Sequence, residues 1–130
     1  MVHTEMCENW MYERLHKAIE KRAIDEMKHA EGLIARILFL EGRPMVSHLK
    51  DIHIGAEVEI QHKSDWRAEH DAIHSYNDGL KLAIELGDGS SRELMESILK
   101  EEESHIDWIE AQIDQIKQMG INNYLVEQID

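Results

Sequence analysis

The sequence carries one cysteine, one proline and 5% aromatic residues in 130 positions. Cys7 has no partner within the chain, so an intrachain disulfide is excluded and a reducing, cytoplasmic setting is expected. With Pro44 the only proline, long stretches can stay helical, and so few aromatics suit helices better than a sheet core. No apolar run approaches the ~18 residues that would suggest a membrane span. The N-terminus lacks a basic region followed by an apolar one, so no signal peptide is expected. Positive charge is also scarce: 14 Lys and Arg face 27 Asp and Glu, for a formal net charge of −13. That balance argues against non-specific binding to nucleic acid or anionic membranes, and favours attraction of cations. The length suits one domain over residues 1–130, large enough for a real core.

What is present is helical periodicity. Apolar residues keep helix spacing from Met6 through Trp10, Met11, Leu15 and Ile19 onward. One long helix is expected from about His3 to Leu40, with Gly42 just beyond its end and Pro44 preventing continuation. Residues 43–54, which include His48, Asp51 and His53, form a connection. Extended, ~12 residues reach roughly 40 Å, enough to cross a bundle and start the next helix parallel to the first. That second long helix is expected over about Ala56–Leu86, with Val58, His62, Glu69, Ile73, Tyr76, Leu80 and Ala83 inward. The run Gly87-Asp88-Gly89-Ser90-Ser91 punctuates the chain, with Ser90 or Ser91 suited to capping the third helix. The third helix runs to Met119 with Leu94, Ile98, Glu102, His105, Ile109, Ile113 and Ile116 inward. Gly120 ends it, and Ile121–Ile129 can form a short terminal helix. The expected fold is an all-α bundle of three long helices and a short C-terminal one, with a long crossover.

Two of the inward stripes carry charge where apolar residues belong. In the first helix, Ile19, Ala23, Glu26, Ala30, Leu33, Ile37 and Leu40 alternate in steps of four and three, so Glu26 takes a core position and His29 flanks it. Glu102 and His105 repeat the arrangement. A buried carboxylate is costly unless paired, and Glu-x-x-His on facing helices is a common way of presenting metal ligands. With nine His and 18 Glu in the chain, about one such match is expected by chance. Four occur: Glu13–His16, Glu26–His29, Glu59–His62 and Glu102–His105. Glu13–His16 and Glu59–His62 read as solvated faces, although His62 belongs to the inner stripe of its helix. Glu26 lies ~15 residues before the end of the first helix and Glu69 ~17 before the end of the second, which puts them at similar heights. Glu102 sits ~12 residues into the antiparallel third helix, again near mid-bundle. Three carboxylates and two imidazoles at one level match a carboxylate-bridged dinuclear iron or manganese centre. The alternative is an acidic bundle whose polar side chains meet solvent or one another.

Four stretches bear a more specific likeness. Asp25-Glu26-Met27-Lys28-His29-Ala30, Arg36-Ile37-Leu38-Phe39-Leu40-Glu41-Gly42, Glu102-Glu103-Ser104-His105-Ile106-Asp107-Trp108 and Met119-Gly120-Ile121-Asn122-Asn123-Tyr124-Leu125 resemble bacterioferritin. The likeness runs from about Asn9 to the C-terminus. It implies a ferritin-like bundle in a haem-containing cage that oxidises Fe(II) with oxygen or peroxide and stores ferric mineral, a ferroxidase function. It also implies roles: Glu26 and Glu102 as bridging carboxylates, His29 on one iron, and Glu69 with His105 on the other. Met27 corresponds to the family's haem ligand, one from each subunit across a two-fold axis. Composition and spacing alone make Met27 a core or interface residue. The porphyrin would pass electrons rather than bind oxygen, and an electron-donor protein is a possible partner. Tyr76 and Trp108 are candidate one-electron donors, although packing suits both.

The resemblance also exposes a departure. The family's first long helix supplies a further terminal glutamate, and this sequence begins near that helix's end. Where the family turns into its second helix, the usual glycine after Trp10 is Met11. The expectation is therefore a short form lacking most of the first helix, with the stub fused onto the second. Three amphipathic helices then leave an apolar face, and self-association into a homo-oligomer is expected. Glu5, Glu8 or Glu13 of a neighbouring subunit would be placed to supply the missing carboxylate. The family cage has twenty-four subunits, and a shortened protomer could favour twelve. Two other readings stand beside iron storage: a di-iron oxidase or peroxidase that forms no mineral, and a haem-binding assembly with a residual metal site.

Overall fold

The computed structural model describes residues 1–45 and 52–130. Among them the chain forms α1 (Val2–Asn9), α2 (Glu13–Phe39), α3 (Val58–Glu85), α4 (Gly89–Met119) and α5 (Ile121–Val126), with no strand. The fold is the expected all-α bundle: three long helices and a short C-terminal one, with α1 as a fifth element. No helix among the described residues is long and apolar enough to cross a membrane. His48 and Asp51 of the α2–α3 connection lie outside the described residues; His53 is exposed.

Polar contacts fix the helix directions. Near the end of α2, Arg36 donates to Asp88 Oδ1 at 2.7 Å and to Ser91 Oγ at 2.8 Å, at the start of α4. Asp88 stands three residues past the end of α3. Helices α2 and α3 therefore run parallel and α4 antiparallel, as the long connection implied. At the other end a buried cluster of Cys7, Leu15, Ile19, Val58, Ile116 and Tyr124 joins α1 and α5 to the long helices. His62 lies 3.0 Å from the Tyr124 hydroxyl, which donates to Gln112 Oε1 at 2.6 Å. The single phenolic hydrogen is spent on Gln112, so His62 Nε2 donates to Tyr124.

The N-terminal stretch corrects the sequence reading. Instead of one helix from His3 to Leu40, the chain breaks at Trp10–Tyr12 and α1 folds back along α2. Met11 adopts φ 62°, the left-handed region. Its N–H reaches Glu8 O and that of Tyr12 reaches Cys7 O, both at 2.9 Å, closing α1. A left-handed non-glycine residue costs about 1–2 kcal/mol. The turn offsets this by burying Thr4 and Cys7 completely and by setting His16 Nδ1 3.2 Å from Thr4 O. The stub is thus not fused to the next helix.

Helix ends differ in detail. Asp88, not Ser90 or Ser91, caps α4, accepting the Ser91 N–H at 3.1 Å. Glu41, not Gly42, takes the left-handed position after α2, at φ 63°. Its N–H bonds Leu38 O and that of Gly42 bonds Ile37 O, the paired bonds of a Schellman ending. The inner stripes of α3 and α4 are buried or half-buried as expected, but Ala30, Ile37 and Leu40 of α2 are exposed. The reason is lopsided packing: α3 and α4 pack together extensively, while α2 touches α4 over a narrower seam.

Candidate metal centre

Helices α2, α3 and α4 each bring charge to one buried level. Glu26, Glu69, Glu102 and His105 each offer a ligand atom within 4.8 Å of the others. His29 adjoins them, with Nδ1 3.0 Å from Glu102 Oε1 and 3.8 Å from Glu26 Oε2. On the other side His105 Nδ1 lies 3.3 Å from Glu26 Oε1, 3.6 Å from Glu69 Oε1 and 3.7 Å from Glu102 Oε1. Glu26 and Glu102 therefore stand between the two imidazoles, and Glu69 belongs to the His105 side. All five residues expected from the sequence meet here.

The second imidazole nitrogens show how the rings are held. His29 Nε2 bonds Glu101 Oε2 at 2.7 Å, and His105 Nε2 bonds Asp25 Oδ2 at 3.0 Å. Each histidine thus meets the acid that precedes the inward glutamate of the facing helix. With Nε2 held by a carboxylate, Nδ1 is the ring nitrogen turned to the centre, the orientation a metal ion needs when it displaces the Nδ1 proton. Asp25 and Glu101 were missed in the sequence reading, although a signal existed. Only the two converging Glu-x-x-His pairs are preceded by an acid; Tyr12 precedes Glu13 and Val58 precedes Glu59. Arg22 and Asp65 were also missed. Arg22 Nε donates to Glu69 Oε1 at 2.6 Å, and its Nη1 lies 3.3 Å from Asp65 Oδ2.

The donor atoms are left unpaired. Glu26 Oε1, His29 Nδ1, Glu69 Oε2, Glu102 Oε1 and His105 Nδ1 are all buried without a hydrogen-bond partner. Their short separations lack the angles of hydrogen bonds. One buried unsatisfied polar group costs about 1–3 kcal/mol, and natural structures hold few of them. Five gathered in one centre, four of them within 4.8 Å of one another and His29 adjoining, oxygen and nitrogen donors alike, fit divalent cations. Titration behaviour reflects the crowding. Burial, then the closeness and negative charge of the Glu26 and Glu69 carboxyls, push Glu102 up to about 11. Burial works against the ionised form of Glu69 too, but His105, Glu102 and Arg22 outweigh it and hold that carboxyl down to about 2. Burial disfavours charge on His105, yet Glu26, Glu69 and Asp25 raise it to about 10.

Other candidates divide clearly. Tyr76 sits close enough to feel the centre: burial and then Glu102, Glu26 and Glu69 raise its hydroxyl to about 12. Trp108 packs on the apolar cluster and meets His62 edge-on at 5.7 Å, a packing role. Met27 is 57% exposed, pointing off the buried side of α2. Glu5, Glu8 and Glu13 are exposed, and Glu13 faces Lys17 at 3.6 Å.

Comparison with known proteins gives the family of the chain. The ferritin-like domain family matches residues 1–119. A bacterioferritin of Brucella melitensis is 36% identical over 123 residues, covering 95% of this chain and 76% of its own length. One from Rhodobacter capsulatus is 36% identical over 119 residues, with 92% and 74% covered. A third, from Mycobacterium tuberculosis, is 32% identical over 123 residues, with 95% and 77% covered. The matches run through all three helices that carry the buried carboxylates and imidazoles, and the chain belongs to the bacterioferritins.

Proposed function

We propose that this protein stores iron, taking up Fe(II) at the Glu26–His29–Glu69–Glu102–His105 centre and oxidising it there to Fe(III). The observation that carries the reading is the set of five buried, unpartnered donor atoms converging from three helices. Glu26 and Glu102, standing between the imidazoles, are the carboxylates two iron ions would share. His105 and Glu69 serve one ion and His29 the other. Fe(II) is the substrate, and dioxygen or peroxide is the oxidant. Each pair of Fe(II) ions gives up two electrons, which with two protons reduce dioxygen to peroxide or peroxide to water. Three carboxylates stabilise the more highly charged product more than the reactant, and so favour oxidation. Asp25 and Glu101 hold both imidazoles with Nδ1 turned toward the ions. The net charge of −13 draws cations toward the protein.

Assembly belongs to the same proposal. Ile24, Met27, Leu38 and Phe39 of α2 are exposed together with Ile60, Leu82 and Ile84 of α3. Apolar area of this kind favours association with further copies into a ferric-mineral cage. Met27, exposed beside Ile24, has its thioether free to reach a group outside the chain. Paired with the same residue of a second copy it would hold a haem, which supplies one-electron transfer when bound.

The test is aerobic Fe(II) oxidation by the purified assembly, followed by absorbance, with iron per particle counted at the end. Rapid oxidation with hundreds of irons retained is expected. Rapid oxidation with about two irons per chain would make it a di-iron oxidase without a mineral. Oxidation no faster than buffer would refute the ferroxidase reading.

A further inference from the structure

Arg22 lies one helical turn before Glu26 on α2 and turns its guanidinium toward the centre. It is 17% exposed. Its bond to Glu69 Oε1, at 2.6 Å, engages one oxygen of that carboxylate, while Glu69 Oε2 stays buried and unpartnered. The guanidinium is also anchored from behind. Asp65 Oδ2 lies 3.3 Å from Arg22 Nη1, and Asp65 Oδ1 lies 3.1 Å from His3 Nδ1 on α1. His3 Nε2 in turn accepts the Gly55 N–H at 3.0 Å, so its Nδ1–H donates to Asp65. A full positive charge is therefore built into the wall of a site made for cations. A cavity of ≈340 Å³ opens beside it, lined by Ile19, Arg22, Ala23, Glu26 and Asp65 among others.

We propose that Arg22 is an internal counter-cation: it neutralises Glu69 when no metal is bound, and competes with metal for that carboxylate. The inference rests on Glu69 being a metal ligand. It has two consequences of opposite sign. Removing the charge destabilises the metal-free protein, because Glu69 loses its cationic partner and Asp65 keeps only His3. The same change tightens metal binding, because a like charge leaves the site and both Glu69 oxygens become available. A purely structural arginine would give losses in both.

Co(II) is the probe, since it does not oxidise in air under these conditions and reports its ligands through visible absorption. The assembled protein is stripped of metal and titrated as wild type, R22Q, R22M and R22K. Met keeps the packed aliphatic stem, so a neutral variant remains measurable if Gln weakens the fold. For R22Q or R22M we expect a lower denaturation midpoint without metal and Co(II) binding at least about tenfold tighter, a modest share of what a unit charge contributes within a few ångströms. R22K keeps the charge and should bind Co(II) within a few-fold of wild type. Neutral variants that bind Co(II) no more tightly than wild type would overturn the role of Arg22 and leave the centre intact. If no protein, wild type included, gave a ligand-bound Co(II) spectrum, the metal reading would fall and the competition with it.

Discussion

Replacing Glu102 and Glu69 by glutamine, one at a time, should move the metal-free protein in opposite directions. Both carboxylates are buried at 1% exposure in the same centre, so size and burial cannot distinguish them. Their protonation does. Glu102 is pushed up to about 11, so at pH 7 it is protonated in the folded protein and ionised in the unfolded one. Protonating an acid of ordinary pKa 4.5 at pH 7 costs about 3 kcal/mol, and glutamine removes that cost. Metal-free E102Q should therefore be more stable than wild type, by up to about 3 kcal/mol. Glu69 is held down, so its ionised form is favoured in the folded protein by His105, Glu102 and Arg22. Metal-free E69Q should lose stability, by about 1.5–3 kcal/mol for a charge-assisted hydrogen bond, leaving Arg22 with Asp65 alone. The pH dependence follows in sign. A raised carboxyl contributes its full stability below pH 4.5 and loses it as the pH climbs toward 11. Wild type should therefore lose ground to E102Q by about 1.4 kcal/mol per pH unit above 4.5. Both variants should bind Co(II) far more weakly than wild type. The assay is denaturant unfolding of stripped protein followed by circular dichroism from pH 5 to 8, alongside the titration. E102Q that is destabilised as much as E69Q would refute the protonation of Glu102 in the folded protein.

Three further outcomes are expected. D25N should weaken Co(II) binding about 10- to 100-fold by freeing the His105 ring, the usual cost of losing such a carboxylate; unchanged affinity would mean that Asp25 does not orient the imidazole. M11G should stabilise the chain by about 0.5–1 kcal/mol in thermal unfolding, since Met11 is 77% exposed at φ 62° and glycine takes that conformation freely. M11A should give no such gain, and equal effects from the two would dismiss backbone strain. His62, lowered to about 4 chiefly by burial, binds its proton less readily folded than unfolded. Its contribution is therefore full above pH 6.5 and lost as the pH falls toward 4. Over that range the stability of wild type relative to H62Q should drop by about 3 kcal/mol, and parallel acid unfolding curves would contradict it.

Much of this centre could be read in the sequence because helical periodicity converts spacing into direction. Glu26, Glu69 and Glu102 were conspicuous as charges on apolar stripes, and the turns around Gly42 and Gly87–Ser91 set their heights. What the sequence hid was of two kinds. The break at Met11 was hidden because the residue there opposes it: nothing local favours a left-handed methionine, and only the burial of Thr4 and Cys7 against α2 makes the turn worthwhile. The exposure of Ala30, Ile37 and Leu40 was hidden because a periodic stripe states which side of a helix is apolar, not whether a neighbour covers it. Asp25 and Glu101 are a different matter. They lie one position before the inward glutamates, about 100° around the helix, where an acid ordinarily faces solvent. Each becomes legible only when the two helices are set against each other, because each serves the other helix's histidine. The smallest unit with chemical meaning here is therefore not Glu-x-x-His but a facing pair of acid-Glu-x-x-His segments. That pairing separates Glu26–His29 and Glu102–His105 from the two chance matches. Arg22 marks the limit of such reading: on its own helix it is an ordinary surface cation, and only Glu69 and Asp65 of α3 turn it inward.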